Sequence, residues 1–136
     1  MKIERIVSGA LEANGYIIWR EDGGTAYIID PGYEPKRYID FVREKALQVR
    51  AILLTHHHND HSGKATALAD AFDCPVMMHR GDLPYYKGRI DTILEGGEQL
   101  DLDGEVIDVL PTPGHTAGGV SFYSDKSKVA FTGDTI

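Results

Sequence analysis

The stretch that decides the fold runs from Ala51 to Gly63 and reads AILLTHHHNDHSG. Its first four residues form a brief apolar run bounded by polar residues, which is typical of a short buried strand. Beyond it, the segment Gly63–Phe72 places apolar side chains at helical spacing. Four histidines and one aspartate therefore lie in a loop between the end of a strand and the start of a helix. Loops supported by such rigid elements often carry functional residues.

The residue types in this loop favour a metal site. Neutral imidazole and ionised carboxylate are the ligands that a borderline divalent ion such as zinc accepts. In an extended segment alternate side chains share a face. We therefore expect His56, His58 and Asp60 to converge while His57 and Asn59 point away.

His61 follows as the chain turns into the helix, where it is placed to reach a second ion. Two simpler interpretations compete with metal binding: a solvated polar loop and the remnant of a purification tag. A tag would be terminal and uninterrupted, whereas this cluster is internal and interrupted. The ligand chemistry therefore favours a metal site.

Four motifs in order along the chain resemble a known family. The pattern Thr-His-X-His-X-Asp-His at Thr55–His61 is the hallmark of the metallo-β-lactamase superfamily. The turn Asp30–Gly32 and the motifs Pro113–Thr116 and Thr132–Thr135 are similar to the family's other conserved turns. Within the superfamily, the segment Thr112–Gly119 looks most like the glyoxalase II-like hydrolases.

This resemblance implies an α+β chain with the four-layer αββα arrangement of the family. It also implies two adjacent metal sites, the first formed by His56, His58 and His115, the second by Asp60 and His61, with Asp134 bridging both. The implied cofactor is zinc, as one or two ions, with iron or manganese as alternatives. Asp30, Thr55 and Thr116 would either orient these ligands through hydrogen bonds or simply form turns.

A metal site of this kind would account for hydrolase activity in physical terms. Three neutral histidines leave an ion its full charge and an open position for water. Coordination lowers the pKa of that water from 15.7 to about 7, which gives a metal-bound hydroxide at neutral pH. The implied reaction is attack of this hydroxide on a small ester, thioester or lactone, as in glyoxalase II. Asp60 and Asp134 are the candidates for moving a proton to the leaving group.

Two other functions remain open. Persulfide dioxygenases share much of the ligand set but use a single iron at the three-histidine site, so the chain is also compatible with an iron oxidoreductase. The third interpretation is a non-catalytic metal-binding fragment. Nucleic acid is disfavoured as a partner, because 21 acidic residues outnumber 14 lysines and arginines and no basic stripe is present.

The C-terminal end departs from the family pattern. Members usually continue beyond the aspartate motif and supply a further histidine ligand, whereas this sequence stops at Ile136. We therefore expect residues 1–136 to form a single domain that contains only the N-terminal part of the fold, with the start of the second sheet. An exposed apolar sheet face would favour a homo-oligomer.

Bulk properties are those of a small globular domain. A length of 136 residues is enough for one hydrophobic core. The single cysteine, Cys74, excludes an internal disulfide. Charges interrupt the N-terminal apolar residues, and no apolar run approaches membrane-spanning length. We therefore expect a cytoplasmic protein that binds a small-molecule substrate and no membrane.

Patterning predicts a chain of short strands with two helices. The expected strands are Lys2–Val7, Gly15–Trp19, Thr25–Ile29, Pro75–Met78, Glu98–Leu102, Val106–Leu110, Val120–Tyr123 and Lys128–Phe131. The apolar runs in the second and third of these predict burial on both faces. Pro35 suits a first helical position, and the helix that it opens has a core stripe of Tyr38, Phe41, Val42 and Leu47.

Three further side chains leave alternatives open. His79 follows a strand and would be either structural or part of the site. Tyr85 and Tyr86 would either line a substrate pocket or anchor their loop by burying their rings.

Overall fold

The computed structural model describes residues 1–9, 13–58, 62–112 and 119–132. Its strands are β1 (Lys2–Ser8), β2 (Ala13–Trp19), β3 (Thr25–Ile29), β4 (Gln48–Leu53), β5 (Val76–His79), β6 (Thr92–Leu94), β7 (Gln99–Leu102), β8 (Glu105–Pro111), β9 (Val120–Ser124) and β10 (Val129–Phe131). Its helices are α1 (Pro35–Glu44) and α2 (Ala65–Phe72), with a 3₁₀ helix at Arg80–Tyr85.

The first sheet is mixed and has the strand order β1-β2-β3-β4-β5-β6. Its first three strands are antiparallel neighbours, whereas β3 to β6 run parallel. Parallel neighbours need a crossover, and the helices α1 and α2 supply it between β3 and β4 and between β4 and β5. The carboxyl ends of β3 and β4 therefore lie side by side, with Ile29 opposite Leu53.

The second sheet is an antiparallel meander with the order β10-β9-β8-β7. It contains four strands among the described residues, all of which the sequence predicts. Strands β7 and β8 form one hairpin, β9 and β10 form another, and β8 pairs with β9 between them.

Two hydrophobic cores cover the first sheet on both sides. Ile17, Ile28 and Ile52 face the layer that contains α1 and α2. Their strand neighbours Ile18 and Ile29 face the second sheet, together with Phe122 of β9. Because successive strand residues point to opposite faces, the continuous apolar runs of β2 and β3 fill both cores. The prediction of strands buried on both faces is confirmed.

Local sequence features mark the start of α1 and the end of α2. Pro35 occupies the first turn of α1, and Asp73 ends α2 in the left-handed region with φ of 52°. Tyr38 and Val42 of α1 are buried as predicted, whereas Leu47 is buried just beyond the helix. The expected strands agree with the observed ones to within two residues at each end, except that β4 begins three residues before the predicted Ala51, and β6 was not predicted.

The outer face of the second sheet exposes some apolar surface. Val106 and Leu110 of β8 are 45% and 42% exposed. Self-association through this face stays a prediction. In the described part of the chain no helix is long and apolar enough to span a lipid bilayer.

Candidate metal centre

Asp30 and the histidine loop each follow the end of a strand, and these strand ends meet at one rim of the molecule. Asp30 follows β3 directly, and its N–H donates to the carbonyl of Leu53 at 3.0 Å. The histidine loop follows β4. The first residue of β9 reaches the same place, because the N–H of Val120 donates to the carbonyl of Thr55 at 2.9 Å. The two sheets are thus joined beside the histidine loop.

Four of the six predicted ligands lie outside the described residues: Asp60, His61, His115 and Asp134. Thr116, which was expected either to orient a ligand or to form a turn, lies outside them as well. The described residues on either side of these segments are nevertheless informative. Ser62 N–H donates to the carbonyl of His58 at 3.0 Å, and Thr112 N–H donates to the carbonyl of Gly119 at 2.9 Å. Backbone hydrogen bonds therefore join the described residues that flank the positions of three of these ligands.

A buried hydrogen-bond chain orients His56. Asp30, which is 2% exposed, accepts from the Thr55 N–H at 2.8 Å and from the Thr55 hydroxyl at 2.6 Å. The same hydroxyl lies 2.8 Å from Nδ1 of His56. A hydroxyl has one proton, and Thr55 uses it to donate a hydrogen bond to the Asp30 carboxylate. The hydroxyl oxygen therefore accepts from Nδ1 of His56, which carries the ring proton. Neutral His56 then carries its lone pair on Nε2, the form in which imidazole binds a metal.

Asp30 adopts an unusual backbone conformation for this purpose. Its φ is 53°, in the left-handed region that non-glycine residues rarely occupy but aspartate tolerates better than most. The turn directs both carboxylate oxygens at Thr55. The sequence prediction that Asp30 and Thr55 orient a ligand is supported by these contacts.

The three consecutive histidines form a compact group. The ring of His58 lies 4.9 Å from that of His56 and 4.7 Å from that of His57, measured between centroids. The rings of His56 and His58 lie close together, as expected. The expectation that His57 points away from them is wrong, because its ring lies just as close to that of His58.

His57 is bound to a different carboxylate. Asp82, which is fully buried, accepts from the His57 N–H at 2.9 Å, and its same oxygen lies 3.0 Å from Nδ1 of the His57 ring. Because a carboxylate accepts, Nδ1 carries the proton. Two bonds to one buried group fix both the backbone and the ring of His57. This role of Asp82 was not predicted, since nothing in the local sequence links positions 57 and 82.

His79 has the structural role that was one of its two alternatives. Its Nδ1 accepts from the Gly81 N–H at 3.0 Å, and its Nε2 lies 3.2 Å from the carbonyl of Glu95. The imidazole thus begins the 3₁₀ helix and ties it to the end of β6. That helix carries Asp82, so His79 supports the site indirectly.

A pocket of about 390 Å³ opens beside the histidine loop. It lies between the start of α2 and the chain that follows the 3₁₀ helix, and its walls include His57, His58, Thr66, Tyr85, Tyr86 and Lys87. Both tyrosines line the pocket, but only Tyr86 also packs against the core. Tyr85 is 61% exposed, whereas Tyr86 is half-buried and packs against the helix-side core. Burial raises the pKa of Tyr86.

Cys74 is unsuited to nucleophilic catalysis. It is buried beneath α2, and burial raises the pKa of its thiol to about 11. A thiolate is the nucleophilic form, so this thiol is inert near neutral pH.

Comparison with known proteins agrees with these observations. A family model described as the metallo-beta-lactamase superfamily matches residues 8–136. The chain belongs to the metallo-β-lactamase superfamily. A hydroxyacylglutathione hydrolase named GloC, from Haemophilus influenzae, is 37% identical over the whole of this chain, which covers 72% of that protein. The superfamily fold and the predicted relation to glyoxalase II-like hydrolases are confirmed.

Two further relatives bear on the metal. A probable zinc-dependent hydrolase of polyketide biosynthesis, BaeB from Bacillus velezensis, is 34% identical over 89% of this chain and 54% of its own length. The crystal structure of TTHA1623 in a di-iron-bound form is 32% identical, with a TM-score of 0.84 over 98% of this chain and 72% of that one. Metal dependence is therefore common to these metallo-β-lactamase-fold relatives, whereas the metal differs among them.

The donor groups of the described residues fit a divalent ion. The chain from Asp30 through Thr55 presents His56 in its ligating tautomer, and His58 lies beside it. A carboxylate that orients a ligating histidine is a common feature of metal sites. Within the described residues no three potential ligands are gathered at one point, and four of the six predicted ligands lie outside those residues.

Proposed function

We propose that this protein is a divalent-metal-dependent hydrolase of small acyl esters, thioesters or lactones. A thioester is the favoured class, because the 37%-identical relative is a hydroxyacylglutathione hydrolase. The observation that carries the proposal is the buried chain Asp30–Thr55–His56, which prepares one imidazole to bind a metal at the rim where both sheets end.

In the proposed site, His56, His58 and His115 would hold one divalent ion and Asp60 and His61 a second, and Asp134 would be a ligand to both. Bound divalent ions supply a Lewis acid for the substrate oxygen and an activated water. Zinc is the proposed metal, with iron or manganese as alternatives. These ligand assignments are supported by the order of the motifs and by superfamily membership.

The chain's own residues perform the remaining tasks. Asp30 and Thr55 keep the imidazole of His56 in one tautomer, so the ring need not change its tautomer to bind a metal ion. Asp82 holds His57, whose ring packs against His58 and limits its movement. Asp60 and Asp134 are the candidates for delivering a proton to the leaving thiolate or alkoxide.

The test is hydrolysis of a simple acyl thioester by the chain loaded with zinc, iron or manganese. Release of thiol is measured by a colorimetric thiol reagent, with and without a chelator. We expect chelator-sensitive hydrolysis that is abolished in His56→Ala together with metal binding. The matched control is His79→Ala, which removes an imidazole whose hydrogen bonds, among the described residues, go to Gly81 and Glu95, and this variant should retain metal.

Two results would overturn the hydrolase proposal. Oxygen consumption with a persulfide, without thioester hydrolysis, would identify an iron oxidoreductase. Stoichiometric metal binding without turnover of esters, thioesters or lactones would identify a non-catalytic metal-binding unit.

A further inference from the structure

An aromatic contact joins the end of β10 to the first sheet. The ring of Phe131, the last residue of β10, lies 5.0 Å from the ring of Tyr16 on β2, measured between centroids, at an interplanar angle of 63°. Such an edge-to-face arrangement is favourable for two aromatic rings. The contact lies close to the rim that carries the histidine loop, because Tyr16 pairs with Ile29, the residue directly before Asp30.

Backbone pairing gives β10 little support. The strand has three residues, lies at the edge of the second sheet and pairs only with β9 among the described strands. An edge strand has backbone partners on one side only, and a segment with few hydrogen bonds opens readily. Phe131 is nevertheless 4% exposed and belongs to the core between the two sheets. Side-chain packing therefore contributes much of what fixes the end of β10.

Tyr16 is suited to fix this end through its ring. It is half-buried and packs against the core between the two sheets. Burial raises the pKa of its hydroxyl, so the side chain is neutral near pH 7. Among the described residues, none forms a hydrogen bond with this hydroxyl. The contact with Phe131 therefore depends on the aromatic ring and not on the hydroxyl.

The position of Phe131 bears on a proposed metal ligand. Asp134, which lies outside the described residues, follows Phe131 by three positions. Three residues span at most about 11 Å, so a fixed Phe131 limits the region that the Asp134 carboxylate can reach. A ligand with fewer accessible positions loses less conformational entropy when it binds an ion.

We propose that Tyr16 is a positioning residue for the metal centre. Its ring holds the end of β10 against the first sheet and thereby restricts where Asp134 can lie. The inference rests on the ligand role of Asp134 in the proposed function. It adds a residue that belongs to none of the four sequence motifs and lies on a strand that supplies no proposed ligand.

The test is a double-mutant cycle that measures zinc affinity and not turnover. Wild-type protein, Tyr16→Leu, Asp134→Ala and the double variant compete with a chromogenic chelator for the first equivalent of Zn²⁺. Tyr16→Leu should weaken zinc binding about two- to tenfold, the range expected for loss of an aromatic pair. Asp134→Ala should weaken it further. Adding Tyr16→Leu to Asp134→Ala should cause no additional loss, because the effect of Tyr16 passes through Asp134.

Matched variants separate positioning from general stability. Trp19 of β2 and Phe41 of α1 form a second edge-to-face pair, at 5.1 Å and 67°, in the helix-side core. Phe131→Leu should weaken zinc binding as Tyr16→Leu does. Phe41→Leu makes the same chemical change and should lower the free energy of unfolding in urea while leaving zinc affinity within twofold. Tyr16→Phe keeps the ring and should bind zinc as tightly as the wild-type protein.

Three results would contradict the inference. The first is a Tyr16→Leu variant with the zinc affinity of the wild-type protein. The second is a double variant in which the two losses multiply, as a purely structural role of Tyr16 would produce. The third is an Asp134→Ala variant that binds zinc as the wild-type protein does.

Thioester hydrolysis by the wild-type protein distinguishes this inference from the proposed function. Hydrolysis together with multiplied losses in the double variant would refute the role of Tyr16 while supporting the hydrolase. Coupling between Tyr16 and Asp134 without hydrolysis of any thioester would support the role of Tyr16 while refuting the hydrolase.

Discussion

Replacing Asp30 by asparagine should reverse the hydrogen bonds that end at His56. In the wild-type protein the Thr55 hydroxyl donates its single proton in a hydrogen bond to the Asp30 carboxylate. Its oxygen therefore accepts a hydrogen bond from Nδ1 of His56. The asparagine amide group can donate where the carboxylate oxygen accepted. The Thr55 hydroxyl would then donate to Nδ1, which leaves the proton of a neutral ring on Nε2.

The magnitude follows from the role of such second-layer contacts. Loss of a carboxylate that orients a ligating histidine typically weakens metal affinity about 10–100-fold. Each factor of ten corresponds to about 1.4 kcal/mol, so we expect a loss of about 1.4–2.8 kcal/mol in metal-binding free energy. The two contacts of 2.8 and 2.6 Å that Asp30 makes with Thr55 place the expected value toward the upper end.

The assay is competition for Zn²⁺ between the protein and a chromogenic chelator at fixed pH. Asp40→Asn is the matched control, because it makes the same chemical change at an exposed carboxylate that pairs with Lys36 on α1. Circular dichroism and urea unfolding of each metal-free variant check that the fold is retained. Thr55→Ser should keep most of the affinity, and Thr55→Val should lose as much as Asp30→Asn.

Nuclear magnetic resonance of the imidazole nitrogens gives a readout independent of metal. Metal-free wild-type protein should show His56 protonated on Nδ1, and Asp30→Asn should show it protonated on Nε2. An Asp30→Asn variant with a zinc dissociation constant within twofold of wild type and an unchanged His56 tautomer would refute the reasoning.

Three further predictions concern stability and reactivity. Gly15→Ala should destabilise the fold by about 1–3 kcal/mol in urea unfolding, since the new methyl group would overlap the buried hydroxyl of Tyr38, and Tyr38→Phe should relieve part of this loss. Glu105→Gln should destabilise by about 3 kcal/mol near pH 7, because it breaks a buried ion pair with the amino group of Met1. Burial opposes ionisation of Glu105, but hydrogen bonds from two serines and the Met1 amino group lower its pKa below the usual 4.5. The stabilisation that Glu105 provides is therefore complete above pH 4.5 and is lost as the pH falls through the lowered pKa. The unfolding free energies of the wild-type protein and Glu105→Gln should converge in that acidic range. Cys74 should resist an aromatic disulfide reagent at pH 8 until the protein is unfolded, because its thiol pKa is about 11; rapid native labelling would contradict this.

Much of the architecture follows from local sequence. The apolar run before Thr55 and the helical spacing after Gly63 predict the strand–loop–helix unit that the structure contains. Strand β6 was not predicted from the sequence. All four strands of the second sheet were predicted, but the pairing of β8 with β9 was not, because it joins segments that are not adjacent in the sequence.

The sequence by itself determined the superfamily, and it predicted the residue types of the metal ligands and the orienting role of Asp30 and Thr55. These depend on residue types at short spacing, and short-range geometry follows from backbone periodicity. Only the tertiary structure decided which carboxylate holds which histidine. Asp30 and Asp82 each contact the histidine loop from 25 residues away, in opposite directions along the chain. Parallel strand pairing brings those positions together, and a pairing between distant segments leaves no trace in the local sequence.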